Sequence, residues 1–236
     1  MNNNCMNQLT ITFLGTQSTG KTALIQQYKY GRAITIHNPT VDSEEKCNIV
    51  NPSNSLDSKI AILLDSSGDY LYQTITEKHI LRSDVLVLVY SITDRQSYSE
   101  GIEILTEALF TYNRMFPTNN PHVVVVGNKI DLSKAKREIS TTEGQQLADS
   151  FKNSSKSTKF FETSALKNTS VTNLFEHFLL LDVVPQTTEV VLNEPLKNKK
   201  RSLSFKKLSL FSFKKDEDSH KKSLLSFLTP RGRSKV

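Results

Sequence analysis

Two stretches constrain the fold most: DVLVLVYSI, residues 84–92, and HVVVVGNKID, residues 122–131. Each carries a near-continuous apolar run of strand length with no polar alternation. Such a strand has to be covered on both faces, as in a parallel sheet flanked by helices. Around them the pattern alternates. Residues 9–15 read as a strand, and residues 21–31 as a helix ending near Gly31. EEKCNIV and SKIAILLD flank NPSNSLDS and read as a hairpin with a long polar turn. Helices are expected at 70–81 (short and irregular), 97–114, 141–151 and 171–183, and a last strand in TKFFETSA. Strands alternating with helices imply an α/β doubly wound sheet, with the hairpin placing one antiparallel strand at its edge.

The chain has 236 residues, 37% of them hydrophobic, which suits one medium domain with something appended. The expected organisation is a flexible N-terminus at 1–7, a body at 8–184, a linker at 185–196 and a tail at 197–236. Charge follows the same division. From residue 195 onward there are thirteen Lys/Arg against three Asp/Glu, a net +10, whereas the preceding residues carry seventeen against twenty-one, a net −4. A mildly acidic body with a basic tail directs the tail at something anionic. Cys5 and Cys47 are the only cysteines, too few and too far apart for a disulfide framework, so an intracellular setting is expected. No apolar run reaches the roughly 18 residues of a membrane span. MNNNCMNQ lacks a signal pattern, Asn2 stands where myristoylation needs glycine, and GRSKV has no prenylation cysteine.

GTQSTGKT, residues 15–22, lies between the first strand and the first helix. The spacing Gly15-x4-Gly20-Lys21-Thr22 is that of a phosphate-binding loop. Glycines let backbone N–H groups turn inward, and the helix N-terminus adds a positive dipole end. Lys21 would reach the outer phosphates and the Thr22 hydroxyl would bind Mg²⁺. NKID, residues 128–131, follows a buried strand at its carboxyl end, where ligands bind in such sheets. The Asp131 carboxylate can accept from guanine N1–H and its 2-amino group, which adenine lacks. ETSA, residues 162–165, supplies a further loop whose backbone can donate to guanine O6.

In that order and spacing, these motifs resemble the Ras superfamily of small GTPases across residues 8 to about 184, and YSITDRQSY, residues 90–98, looks most like its Ras branch. The resemblance implies a G domain of the P-loop NTPase class, with a six-stranded, mostly parallel sheet and about five helices. It also implies GTP and GDP as ligands, Mg²⁺ as cofactor, and effector and exchange-factor proteins as partners. Gly15, Gln17, Ser18, Thr19, Gly20, Lys21 and Thr22 would hold the phosphates. Thr22 and Thr40 would ligate Mg²⁺, with Asp65 holding it through water. Gly68 would donate its backbone N–H to the γ-phosphate. Lys21, Thr40, Gly68 and Asp69 would form the catalytic group. Asn128, Lys129, Asp131, Ser164 and Ala165 would form the guanine site. Asn38, Pro39, Val41, Asp42 and Ser43 would form the effector surface.

The departures from the family pattern concern catalysis. T-A-G-Q is usual after the Mg²⁺ aspartate; here the residues are Ser66, Ser67, Gly68 and Asp69. Asp69 therefore replaces the glutamine that orients the attacking water. A carboxylate accepts the water's proton but cannot also donate to the γ-phosphate, and it brings negative charge to a site where charge is developing. Gln17 stands where the Ras branch mostly has glycine and would crowd an incoming arginine finger. Ala33 replaces an aromatic on the edge of guanine, Leu166 replaces a lysine beside the base, and His37 replaces a switch tyrosine. Slow cleavage and fast exchange both favour the GTP-bound state. The alternative is a GTP-binding scaffold without useful turnover; a P-loop kinase gives NKID and ETSA no role.

The tail segment KNKKRSLSFKKLSLFSFKK, residues 197–215, is similar to the basic effector segment of the myristoylated alanine-rich C-kinase substrate proteins, and HKKSLLSFL repeats the pattern more weakly. Each Lys or Arg near an anionic leaflet contributes about 1 kcal/mol. Phe205, Leu208, Phe211 and Phe213 can enter the interface. Ser202, Ser204, Ser209 and Ser212 sit among basic residues, as basophilic kinases prefer, and the segment also suits Ca²⁺–calmodulin. The expected location is cytoplasmic, peripheral on the inner face of the plasma membrane, with the nucleus as alternative. Nucleic acid is disfavoured, since no folded basic groove positions the aromatics.

Overall fold

The computed structural model describes residues 8–32, 43–51, 53–67, 73–132 and 134–182. Six strands form one sheet: β1 Gln8–Leu14, β2 Ser43–Asn51, β3 Asn54–Asp65, β4 Val85–Ser91, β5 His122–Asn128 and β6 Thr158–Glu162. The helices are α1 Lys21–Tyr30, α2 Gln73–Arg82, α3 Arg95–Met115, α4 Thr141–Ser150 and α5 Val171–Leu179. Strand order is β2-β3-β1-β4-β5-β6. All pairings are parallel except β2 with β3. The sequence expectation of a parallel sheet with one antiparallel edge strand is met.

The apolar runs behave as their composition requires. Every residue of β4 and β5 is buried. The core continues through Leu9, Ile11 and Phe13 of β1 to Val171, Leu174, Phe175 and Phe178 of α5. Those four α5 positions fall at the spacing of one helical stripe. Phe175 stacks face to face on Tyr28 of α1, with ring centroids 3.8 Å apart. No described helix is long and apolar enough to cross a membrane. Burial pushes the Cys47 thiol up to about 11, so it stays protonated and unreactive near neutral pH.

Three boundaries differ from the sequence reading. The hairpin has no long turn: the β2–β3 ladder runs on to Asn51 opposite Asn54, with a register irregularity at Val50/Asn51. Asn51 closes it locally, its Oδ1 accepting from Ser53 N at 3.0 Å and its Nδ2 donating to Asp57 at 3.2 Å. Backbone pairing sustains a ribbon through a mostly polar stretch, so a polar composition did not mark its end. The closing helix stops at Leu179 rather than Val183. Lys59 of β3 ends it by donating to the carbonyls of Leu179 and Leu181, each at 2.5 Å. Finally, α3 begins two residues early because Asp94 caps it, accepting from Gln96 N at 3.0 Å and Ser97 N at 3.1 Å.

Candidate functional site

Register brings the motif residues to one edge of the sheet. Phe13 of β1 lies opposite Asp65 of β3, Ser91 of β4 opposite Asn128 of β5, and Gly127 opposite Glu162 of β6. The loops leaving these ends are therefore neighbours, as the carboxyl-edge rule for open α/β sheets requires.

The phosphate loop leaves β1 and turns into α1. Gly15 has φ +136°, and a Cβ there would lie 2.2 Å from the Val89 carbonyl oxygen. Gly20 has φ +101°, and its Cβ would lie 2.2 Å from Asn128 Nδ2. The second glycine thus makes room for the base-side asparagine as well as allowing the turn. Ser18 adopts a left-handed φ of 61° without being glycine. Gln17 and Ser18 are exposed, and Thr19 is buried with its hydroxyl on the Thr16 carbonyl at 3.0 Å. Lys21 is 6% exposed, and its ammonium donates to the carbonyls of Gly15 and Thr16, both at 2.9 Å. That grip folds the side chain back over its own loop.

Thr22 Oγ1 donates to Asp65 Oδ2 at 2.6 Å, joining the first turn of α1 to the end of β3. Asp65 is 2% exposed. A hydroxyl and a carboxylate, hard oxygen donors beside a phosphate loop, fit Mg²⁺. Ser66 follows, its hydroxyl donating to the Phe13 carbonyl at 2.6 Å, which pins the start of the next segment to β1. Ser43 opens β2 opposite Asp65 in the ladder. Thr40, Gly68 and Asp69 lie outside the described residues, as do Asn38, Pro39, Val41 and Asp42 of the effector segment, Ala33, His37 and the whole tail.

The base side is a knot of three loops. Asn128 is 1% exposed. Its Nδ2 donates to the Thr19 carbonyl at 2.9 Å, while its Oδ1 accepts from Thr163 Oγ1 at 3.1 Å and Ala165 N at 3.2 Å. Lys129 has φ 70°, a left-handed turn that sends the chain on to Asp131. Ser164 Oγ donates to Asp131 Oδ1 at 2.6 Å and accepts from Lys167 N at 3.0 Å. Asn128, Asp131, Ser164 and Ala165, which the resemblance implies for the guanine site, thus come together. Leu166 is 58% exposed beside them. Sequence reasoning missed Thr163, whose hydroxyl fixes the Asn128 amide, and the ion pair of Arg137 with Glu162. The capped segment SxxE at residues 140–143 was the one legible hint of order nearby.

A phosphate loop, a hydroxyl–carboxylate pair and a base knot on the carboxyl edge of this sheet define a P-loop nucleotide-binding domain of the G-domain class. The Ras family model matches residues 10–181. The chain is 32% identical over 209 residues to the GTP-binding protein Rit1 of Mus musculus, covering 87% of this chain and 88% of that protein. It is 34% identical over 171 residues to the GTP-binding protein Rheb homolog of Drosophila melanogaster, covering 72% of this chain and 87% of the other. The GTP-binding protein Rhes of Homo sapiens is 26% identical over 196 residues, covering 80% and 70%. The chain belongs to the Ras family of small GTPases. Proteins of this family bind GTP and GDP with Mg²⁺, hydrolyse GTP, and switch signalling through effectors and exchange factors.

Proposed function

We propose that this chain is a Ras-branch switch that cleaves GTP slowly, stays largely GTP-loaded and attaches to anionic membrane through residues 197–236. One observation carries the kinetic part. Lys21 lies over the loop and Thr22 on Asp65, an arrangement that suits phosphate and Mg²⁺ binding, while Asp69 stands where the family has its water-orienting glutamine. Binding and cleavage are thereby separated in the sequence.

The roles follow from position. Lys21 neutralises the outer phosphates, and its two carbonyl bonds keep the ammonium at the loop rather than in solvent. Thr22, Thr40 and Asp65 would hold Mg²⁺, which when bound offsets phosphate charge. Gly68 would donate its N–H to the γ-phosphate. Asp69 accepts a proton from water but cannot donate to the phosphoryl oxygens, so the water is poorly positioned. Gln17 is exposed on the rim, where it obstructs an arginine supplied by a partner. Weaker contact at the base, through Ala33 and Leu166, speeds exchange and loads GTP from a GTP-rich cytoplasm.

The tail's net +10 and its phenylalanines would bind the inner face of the plasma membrane. Three serine phosphates, at about −1.5 to −2 charge each, would remove roughly half of that charge and release it. Ca²⁺–calmodulin would compete for the same segment.

Bound nucleotide extracted after gentle isolation tests the kinetic reading: GTP should predominate, and a preponderance of GDP would refute it. Sedimentation of the full chain with phosphatidylserine vesicles tests the tail. Binding should collapse when Lys199, Lys200, Arg201, Lys206 and Lys207 become Gln. Nuclear accumulation without vesicle binding would favour the nucleus, the alternative location.

A further inference from the structure

Arg137 and Glu162 form a forked ion pair, Nη1 to Oε1 at 2.6 Å and Nη2 to Oε2 at 3.3 Å. Their side chains are 27% and 21% exposed, so the pair is largely sheltered from water. Glu162 also accepts from Thr141 Oγ1 at 3.1 Å, and Arg137 Nη1 also donates to the Ile139 carbonyl at 3.1 Å. Glu162 is the last residue of β6 and opens the loop that carries Ser164 and Ala165. Arg137 ends the segment that carries Lys129 and Asp131, just after a short turn at Lys134–Lys136. The pair therefore bridges the two loops of the base knot at a point distinct from Ser164–Asp131.

We propose that Arg137 and Glu162 are positioning residues for guanine recognition, a clasp that sets how long the nucleotide stays bound. The inference rests on the reading of Asp131 as the base-reading carboxylate. The near end of the 129–137 segment is tied to the opposite loop by the Ile130 N–H on the Thr163 carbonyl at 3.2 Å and by Ser164 on Asp131 at 2.6 Å. The far end of that segment is fixed, because Glu138 N and Ile139 N both donate to the Ile92 carbonyl, at 2.9 and 3.1 Å. The Arg137–Glu162 fork adds a side-chain tie between the two loops at the other end of the segment, and so holds the Asp131 carboxylate in register with the opposite loop. An exposed ion pair would do little here. A forked, charge-assisted pair held by two further hydrogen bonds is directional enough to fix geometry. Its weight would be greater in a chain with Ala33 and Leu166 where the family usually has an aromatic and a lysine beside the base.

The test measures dissociation of GDP and of inosine diphosphate from the full chain with Mg²⁺ present. Inosine diphosphate keeps N1–H but lacks the 2-amino group that Asp131 reads. Native protein should release inosine diphosphate faster than GDP. Arg137→Gln and Glu162→Gln should each speed GDP release about tenfold, with a smaller effect on inosine diphosphate, so the ratio narrows. The double variant should be no faster than either single one, because one clasp is lost in each case. Single-variant GDP release within twofold of native would overturn the proposal. So would equal acceleration of both nucleotides with a matching fall in melting temperature, the signature of general destabilisation. An additive double variant would overturn it as well. If the native chain does not distinguish the two nucleotides, the base-site reading fails, and this inference with it.

Discussion

The side-chain amide of Asn128 reaches across the fold to donate to the carbonyl of Thr19 at 2.9 Å, so the base loop and the phosphate loop are one hydrogen-bonded unit. Both contacts of its Oδ1 come from the third loop, through Thr163 and Ala165. Loosening this residue should loosen both ends of a bound nucleotide. Gly20→Ala sets a methyl 2.2 Å from Asn128 Nδ2 and forces that amide away. Losing a buried hydrogen bond costs about 1–3 kcal/mol, which predicts GDP release about 5- to 150-fold faster. Release at the native rate in a stopped-flow displacement assay would show that the amide bond carries no weight.

Tyr90 is fully buried, and its hydroxyl has no hydrogen-bond partner among the described residues. It is wedged where a Cβ on Gly127 would lie at 2.9 Å and one on Gly144 at 2.5 Å. Burial raises the phenol's pKa, with Tyr98 and Glu162 adding to the effect. An unpaired buried hydroxyl is a net cost, so Tyr90→Phe should be neutral or stabilising by up to about 1 kcal/mol. Thermal melts decide it, and a clear loss of stability would reveal a hydrogen bond with water.

Lys59 supplies the C-terminal cap of α5, gripping the carbonyls of Leu179 and Leu181 from β3. Burial lowers its pKa, with Asp182 and Asp57 opposing. Lys59→Met keeps the stem and removes the donor. About 1–2 kcal/mol of stability should be lost, with faster hydrogen exchange confined to the end of α5. Uniform exchange rates along the helix would contradict the cap.

Glu143 is held down to about 2 by the Arg95 guanidinium and the Ser140 N–H, against a small opposing desolvation. A carboxylate depressed on folding stabilises the fold above its unfolded pKa and loses that contribution as pH falls. The affected window runs from about 4.5 down to about 2. Its side chain is 38% exposed, so solvent screening keeps the effect small. Glu143→Gln should flatten the melting-temperature profile across that window and lower the melting temperature slightly near neutral pH, the two proteins converging at the acid end. An unchanged acid slope would assign the effect to other carboxylates.

Much of this was legible because composition and function coincide. Val123–Val126 could only be a covered strand, and the glycine and lysine of GTQSTGKT announced a phosphate loop between strand and helix. The structure adds what spacing does not encode. Thr163 reads as filler inside ETSA until its hydroxyl is seen on Asn128. Arg137 and Glu162 are 25 residues apart, and only the parallel placement of β5 and β6 brings them within hydrogen-bond reach. The hairpin was misjudged because an exposed ribbon is held by backbone bonds, which carry no side-chain signature. The end of α5 was misjudged because its cap lies 120 residues away along the chain.

In the proposed switch, binding and cleavage are separated: Lys21, Thr22 and Asp65 keep their arrangement, and Asp69 replaces the water-orienting glutamine. Single-turnover hydrolysis of GTP by the full chain, beside Asp69→Gln, tests it most directly. Cleavage by the native protein should be slow and the variant should gain at least tenfold, since orienting the water is worth about 1.4 kcal/mol or more. Equal rates for the two proteins would contradict it and show that Asp69 does not limit the chemistry.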